Sequence, residues 1–142
     1  MNVTTPQTVT PNTPIKVIFP TQQFDLAGEY NPKKSTFVPD KDGVYEVIAK
    51  IGFIPANLNL DYRIRIEIRV NGNPAVAIDN DFFGGGVPFA NAVAVSSILL
   101  LHEDDRVEVF AQSSIAGASS PKEDGSRFEA ARFPSPINND DD

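Results

Sequence analysis

The segment 61–70, DYRIRIEIRV, alternates polar and hydrocarbon side chains for ten residues without a break. Tyr62, Ile64, Ile66, Ile68 and Val70 fall on one side, and Asp61, Arg63, Arg65, Glu67 and Arg69 on the other. A period of two is that of a β-strand, with one dry face and one wet face. Same-face neighbours lie about 7 Å apart, so the three arginines share their row with Asp61 and Glu67. Three positive charges less two negative leave +1 on that row. A polyanion site needs an unbroken basic row, so the segment reads as the solvent wall of an outer sheet.

The same period recurs along the chain. IKVIF (15–19), GVYEVIAKIGF (43–53), PAVAI (74–78), NAVAVSSILLL (91–101), RVEVFAQ (106–112) and SRFEAARF (126–133) are alternating or fully apolar. Turn residues separate them, at 40–43 (DKDG), 71–74 (NGNP), 103–105 (EDD) and 123–125 (EDG). No long window sustains helical spacing. Many short strands with frequent turns predict an all-β sandwich or jelly roll.

The segment 91–101 differs from the others because neither face carries a charge. One face has Val93, Val95, Ser97, Leu99 and Leu101; the other has Ala92, Ala94, Ser96, Ile98 and Leu100. A strand that is dry on both sides of a two-layer sandwich needs a second cover, either a loop or another subunit. The small residues suit close approach, so Ala92, Ala94, Ser96, Ile98 and Leu100 are expected at a subunit interface.

The chain has 142 residues, enough for one domain and one core, and a hydrophobic content of 41%. A net charge of -7 opposes nucleic acid and anionic membranes. With no cysteine, thiolate chemistry and disulfides are excluded. No run approaches the roughly 18 apolar residues of a membrane span. Residues 1–14 are uncharged and Thr/Pro-rich, which predicts a linker or stalk end. The start lacks the basic and apolar regions of a signal peptide, so export by another route or a start after processing is expected. The folded domain is expected over 15–134, and the acidic tail 135–142 is expected to fray.

Beyond these patterns the residues resemble a family. Tyr30-Asn31, then Phe37, then Gly43 and Tyr45 opening a long apolar strand are similar to the start of the C1q and tumour-necrosis-factor-like superfamily. Val70-Asn71-Gly72 resembles its mid-domain hairpin, Leu101 with Asp105 and Val107 its leucine–aspartate–valine signature, and Ser126 with Phe128 the start of its last strand. Asp104, Ala130 and Arg132 depart from that pattern. The resemblance implies a ten-stranded jelly roll that forms a homotrimer, without catalytic chemistry. It implies a distant bacterial member on a spore (exosporium) or cell surface, acting by multivalent recognition or assembly on a protein or carbohydrate partner. The alternative is the carbohydrate- or receptor-binding tip of a phage fibre.

Other candidate sites are weaker. The sole histidine, His102, sits in a charged turn beside no nucleophile, and one histidine cannot build a metal-dependent jelly-roll enzyme. Asp79 and Asp81, and Asp104 and Asp105, are acidic clusters that read as calcium loops or as ordinary solvated turns. No other cofactor is expected. The glycine-rich stretch DFFGGGVPF (81–89) lacks the Lys-Ser/Thr of a phosphate loop. Its Phe82, Phe83 and Phe89 are either an apolar contact for a partner or rings tucked into the core or a neighbouring subunit.

Overall fold

The computed structural model describes residues 7–19, 29–31, 33–86, 91–120 and 126–134. Among them, eleven strands occur in chain order: β1 (Thr8–Val9), β2 (Ile15–Lys16), β3 (Tyr30–Asn31), β4 (Thr36–Phe37), β5 (Gly43–Pro55), β6 (Tyr62–Val70), β7 (Asn73–Phe83), β8 (Asn91–Leu101), β9 (Val107–Ser113), β10 (Gly117–Ser119) and β11 (Arg127–Arg132). They form two antiparallel sheets. One runs β1-β10-β5-β11, with β8 also on β5; the other runs β3-β4-β9-β6-β7, with β2 on β9. The fold is an all-β jelly-roll sandwich, as the strand pattern predicts. No described helix is long and apolar enough to cross a membrane.

Alternation decides which way each strand faces. On β5, Tyr45, Val47, Ala49, Ile51 and Phe53 are buried, and on β6 so are Tyr62, Ile64, Ile66 and Ile68. Val107, Val109 and Ala111 of β9 and Val93, Val95 and Leu101 of β8 complete the layer between the sheets. Each valine, isoleucine, leucine or phenylalanine among them contributes about 1.5–3 kcal/mol on burial, before the entropy of ordering is deducted. An aromatic seam runs through this layer: Phe37 on Tyr45 (5.7 Å), Phe53 on Tyr62 (5.3 Å) and Tyr62 on Phe83 (5.4 Å).

The β6–β7 hairpin turns on Asn71 (φ 54°) and Gly72 (φ 78°). Both central residues of this two-residue turn are left-handed, which suits Asn-Gly and matches the twist of the strands. Asn71 also ties the hairpin to the start of β9, because its backbone nitrogen donates to Arg106 O at 2.8 Å and its Oδ1 accepts from Arg106 N at 2.9 Å.

Two expectations are corrected. The linker reading of 1–14 fails over its second half: Thr8–Val9 pair with Ala118 and Gly117, and Val9 is 3% exposed. A distant strand supplies the partner, so composition around Val9 gave no sign of it. Residues 135–142 lie outside the described residues. The second correction concerns Glu67, expected on a solvent wall but 4% exposed. Arg65 Nε donates to its Oε2 at 3.1 Å, and Arg69 Nε donates to its Oε1 at 2.5 Å. The Arg69 guanidinium also lies 3.8 Å from the centroid of the Phe110 ring. The two arms cover the carboxylate and satisfy it, as a buried charge requires.

Candidate functional site

The outer face of the five-stranded sheet is the least ordinary surface of the molecule. Register places Val44 opposite Leu100, Glu46 opposite Ile98, Ile48 opposite Ser96, Lys50 opposite Ala94 and Gly52 opposite Ala92. On the other side of β5, Phe133 N donates to Val44 O at 2.9 Å, so Phe133 extends the same cross-strand row. Leu100 is 67% exposed, Ile98 63%, and Val44 and Phe133 each 41%. Antiparallel partners point to one face, so these four side chains form a contiguous apolar patch. Toward the other end the face becomes small and charged, through Ala94, Lys50 and Arg127.

The five residues expected at an interface, Ala92, Ala94, Ser96, Ile98 and Leu100, thus lie together on one outward face. Their alternates Val93, Val95 and Leu101 fill the core. Val44 and Phe133 were not named from the sequence. Their signal was available in the alternation of 43–53 and 126–133, but only strand register brings them beside Leu100.

The aromatic loop is reapportioned. Phe82 and Phe83 belong to β7, not to a loop. Phe83 points inward onto Tyr62 at 5.4 Å, whereas Phe82 is 58% exposed with Arg63 5.5 Å from its ring centroid. Phe89 lies outside the described residues. The glycines after β7 close a clamp: Gly85 N donates to Asp61 Oδ1 at 2.7 Å and Gly86 N to Leu58 O at 2.6 Å.

The acidic clusters also separate. Asp79 and Asp81 sit on β7 opposite Ile66 and Ile64, on the side of the strand that faces the sandwich, so they are not in a loop. Desolvation, and then its neighbour Asp81, raise the Asp79 carboxyl above the usual carboxylate range. Asp105 serves the β8–β9 turn, with Oδ2 accepting from His102 N at 2.8 Å and Oδ1 from Asn71 Nδ2 at 2.9 Å. Those bonds hold its carboxyl below the usual range, the His102 backbone contributing most. Asp104 takes a left-handed turn conformation (φ 70°). Among the described residues, no group of three His, Asp or Glu converges as a metal site. His102 is exposed in its turn, with Nδ1 3.8 Å from Asp42 Oδ2.

No protein-family model matches the sequence, and no curated protein matches it. Among solved structures the chain is similar to Eiger TNF from S. frugiperda, with a TM-score of 0.62 at 12% sequence identity. That likeness covers 97% of this chain and 92% of the other. At such identity it is a likeness of fold, and it agrees with the two antiparallel sheets described above. The chain has a TNF/C1q-like jelly-roll fold.

Proposed function

We propose that this protein is a non-enzymatic recognition head that works as a homotrimer. The observation that carries the reading is the exposed, contiguous patch of Leu100, Ile98, Val44 and Phe133 on one sheet face. Contiguous apolar surface rimmed by polar residues marks an association surface. The patch spans β8, β5 and the end of β11, so a flat sheet face rather than a loop is offered to the neighbour. A TNF-like fold supports three copies around one axis, with Ala92, Ala94 and Ser96 allowing close approach.

Function then follows from multivalency. Three copies of one weak site raise avidity through effective concentration, without any catalytic step. The setting we infer is extracellular, at a bacterial spore or cell surface, where a trimeric tip would present its sites to a protein or carbohydrate partner. Size-exclusion chromatography with light scattering tests the assembly. A mass three times that of the 15.4 kDa chain is expected, and a monodisperse monomer at micromolar concentration overturns the reading.

A further inference from the structure

The outer face of the six-stranded sheet carries a hollow of about 710 Å³, within the usual size range of small-ligand sites. Lys33 and Lys34 form one rim, on the β3–β4 turn; Gly72 and Arg106 form the other, where the β6–β7 hairpin meets the start of β9. Lys16 and Glu108 lie between them, paired at 2.5 Å, and Lys16 Nζ also reaches Thr36 Oγ1 at 3.3 Å. Four cations against one carboxylate give a local +3 on a chain whose net charge is -7. Among the described residues, Lys33, Lys34 and Arg106 have no carboxylate within ion-pair distance. Three cations converge on one concavity of a chain whose net charge is negative.

The walls are held in place. Asn31 Oδ1 accepts from Lys33 N at 3.0 Å and Lys34 N at 3.2 Å, which leaves the Asn31 amide nitrogen as a donor at the rim. Behind the turn, buried Ser35 Oγ accepts from Phe19 N at 2.8 Å, and Tyr30 Oη donates to Phe19 O at 2.6 Å. Burial pushes the Tyr30 phenol up to about 12, so it stays a donor. The Asn71 clamp fixes Arg106 on the opposite rim. Ile18 and Val38 add aliphatic surface, and among the described residues no aromatic ring lines the hollow. The described lining thus offers charge and hydrogen bonding rather than a stacking platform.

We propose that this hollow is a binding site for an anionic saccharide of about disaccharide size, bearing carboxylate or sulfate groups. Spaced lysines act as point charges that suit several separated anionic groups, and the Asn31 amide and aliphatic floor suit a hydroxylated ring. The site lies on the outer face of the sheet opposite the one that carries the Leu100 patch. It does not rest on the trimer reading.

Calorimetric titration of the full chain tests it with four probes: a sulfated uronate disaccharide, its unsulfated form, a neutral disaccharide and inorganic sulfate. Saturable binding of an acidic disaccharide is expected at one site per chain, weakening as salt rises, with none for the neutral sugar. The two acidic forms tell carboxylate from sulfate recognition. The double variant Lys33→Ala/Lys34→Ala, and separately Arg106→Ala, should lose affinity about tenfold or more, while Lys41→Ala on a remote turn should not. All four side chains are exposed, so the variants keep the fold. The proposal is overturned if neither acidic disaccharide binds at about 10 mM, a ceiling below any useful affinity. It is equally overturned if the rim variants bind as well as the parent, or if inorganic sulfate competes as strongly as the disaccharides.

Discussion

Arg69 Nε stands 2.5 Å from Glu67 Oε1 while its guanidinium lies 3.8 Å from the centroid of the Phe110 ring. One side chain thus neutralises a buried carboxylate and covers an aromatic face. Glu67→Ala leaves two guanidinium groups facing each other over a void, and is expected to cost about 1–3 kcal/mol. The figure is held below that of a fully buried pair because Arg65 keeps a 39% exposed side chain. Glu67→Gln preserves the shape and should cost less than Glu67→Ala. Urea unfolding of the two variants checks the order.

Adjacent residues on β8 should respond in opposite ways. Leu100 is 67% exposed and Leu101 1%. On the trimer proposed above, Leu100→Asp should abolish assembly, read as a fall in mass by light scattering, while the isolated chain keeps its fold. Leu101→Ala should cost about 2–5 kcal/mol of folding stability through the cavity it leaves.

Acid should act on Asp79 and Asp105 with opposite signs. The Asp79 carboxyl is raised in the folded chain, so its favourable contribution is present at low pH and lost as pH rises through the folded value. The Asp105 carboxyl is lowered, so its contribution is present above the ordinary value of 3.8 and lost as pH falls below it. Asp79→Asn should therefore stabilise the protein at neutral pH, on the order of 0.5 kcal/mol, and remove part of the gain seen on mild acidification. Asp105→Asn should weaken the protein at neutral pH and leave its behaviour below 3.8 little changed. Melting temperatures across pH 3–7 (about the titration range of carboxylates) separate the two.

The consecutive glycines are not equivalent. A Cβ on Gly85 would collide with the Asn59 backbone at less than 3 Å, whereas on Gly84 the nearest atom is Asp61 Oδ1 at 4.0 Å. Gly85→Ala should cost about 1–3 kcal/mol and loosen the clamp between 58–61 and 84–86. Gly84→Ala should lie within about 0.5 kcal/mol of the parent. Thermal melts give the energies, and amide exchange at Gly86 reports the clamp.

The strands of the central layer were legible because their alternation is local. Tyr45 to Phe53 and Tyr62 to Ile68 announce their buried face within nine residues. What was not legible depends on pairing between distant segments. Val9 becomes core only because β10 lies beside it, and Glu67 is buried only by the arms on either side of it and the Phe110 ring that β9 brings alongside. Asp79 and Asp81 looked like a loop because an inward carboxylate breaks the apolar alternation that marks a strand. The uncharged outward face of β8 was readable from 91–101, but its neighbours Val44 and Phe133 needed register. The cationic hollow draws on β2, the β3–β4 turn, the hairpin at Gly72 and the start of β9, four segments that no single window of sequence contains.

The position of Asp79 and Asp81 also bears on how copies of this chain can meet. Among the described residues β7 is the last strand on one side of the six-stranded sheet, and an edge strand is a template for any extended chain that drifts onto it. A newcomer hydrogen-bonding to β7 would draw its own side chains alongside two carboxylates that already repel each other. Side-by-side addition of a further strand at β7 is thereby disfavoured.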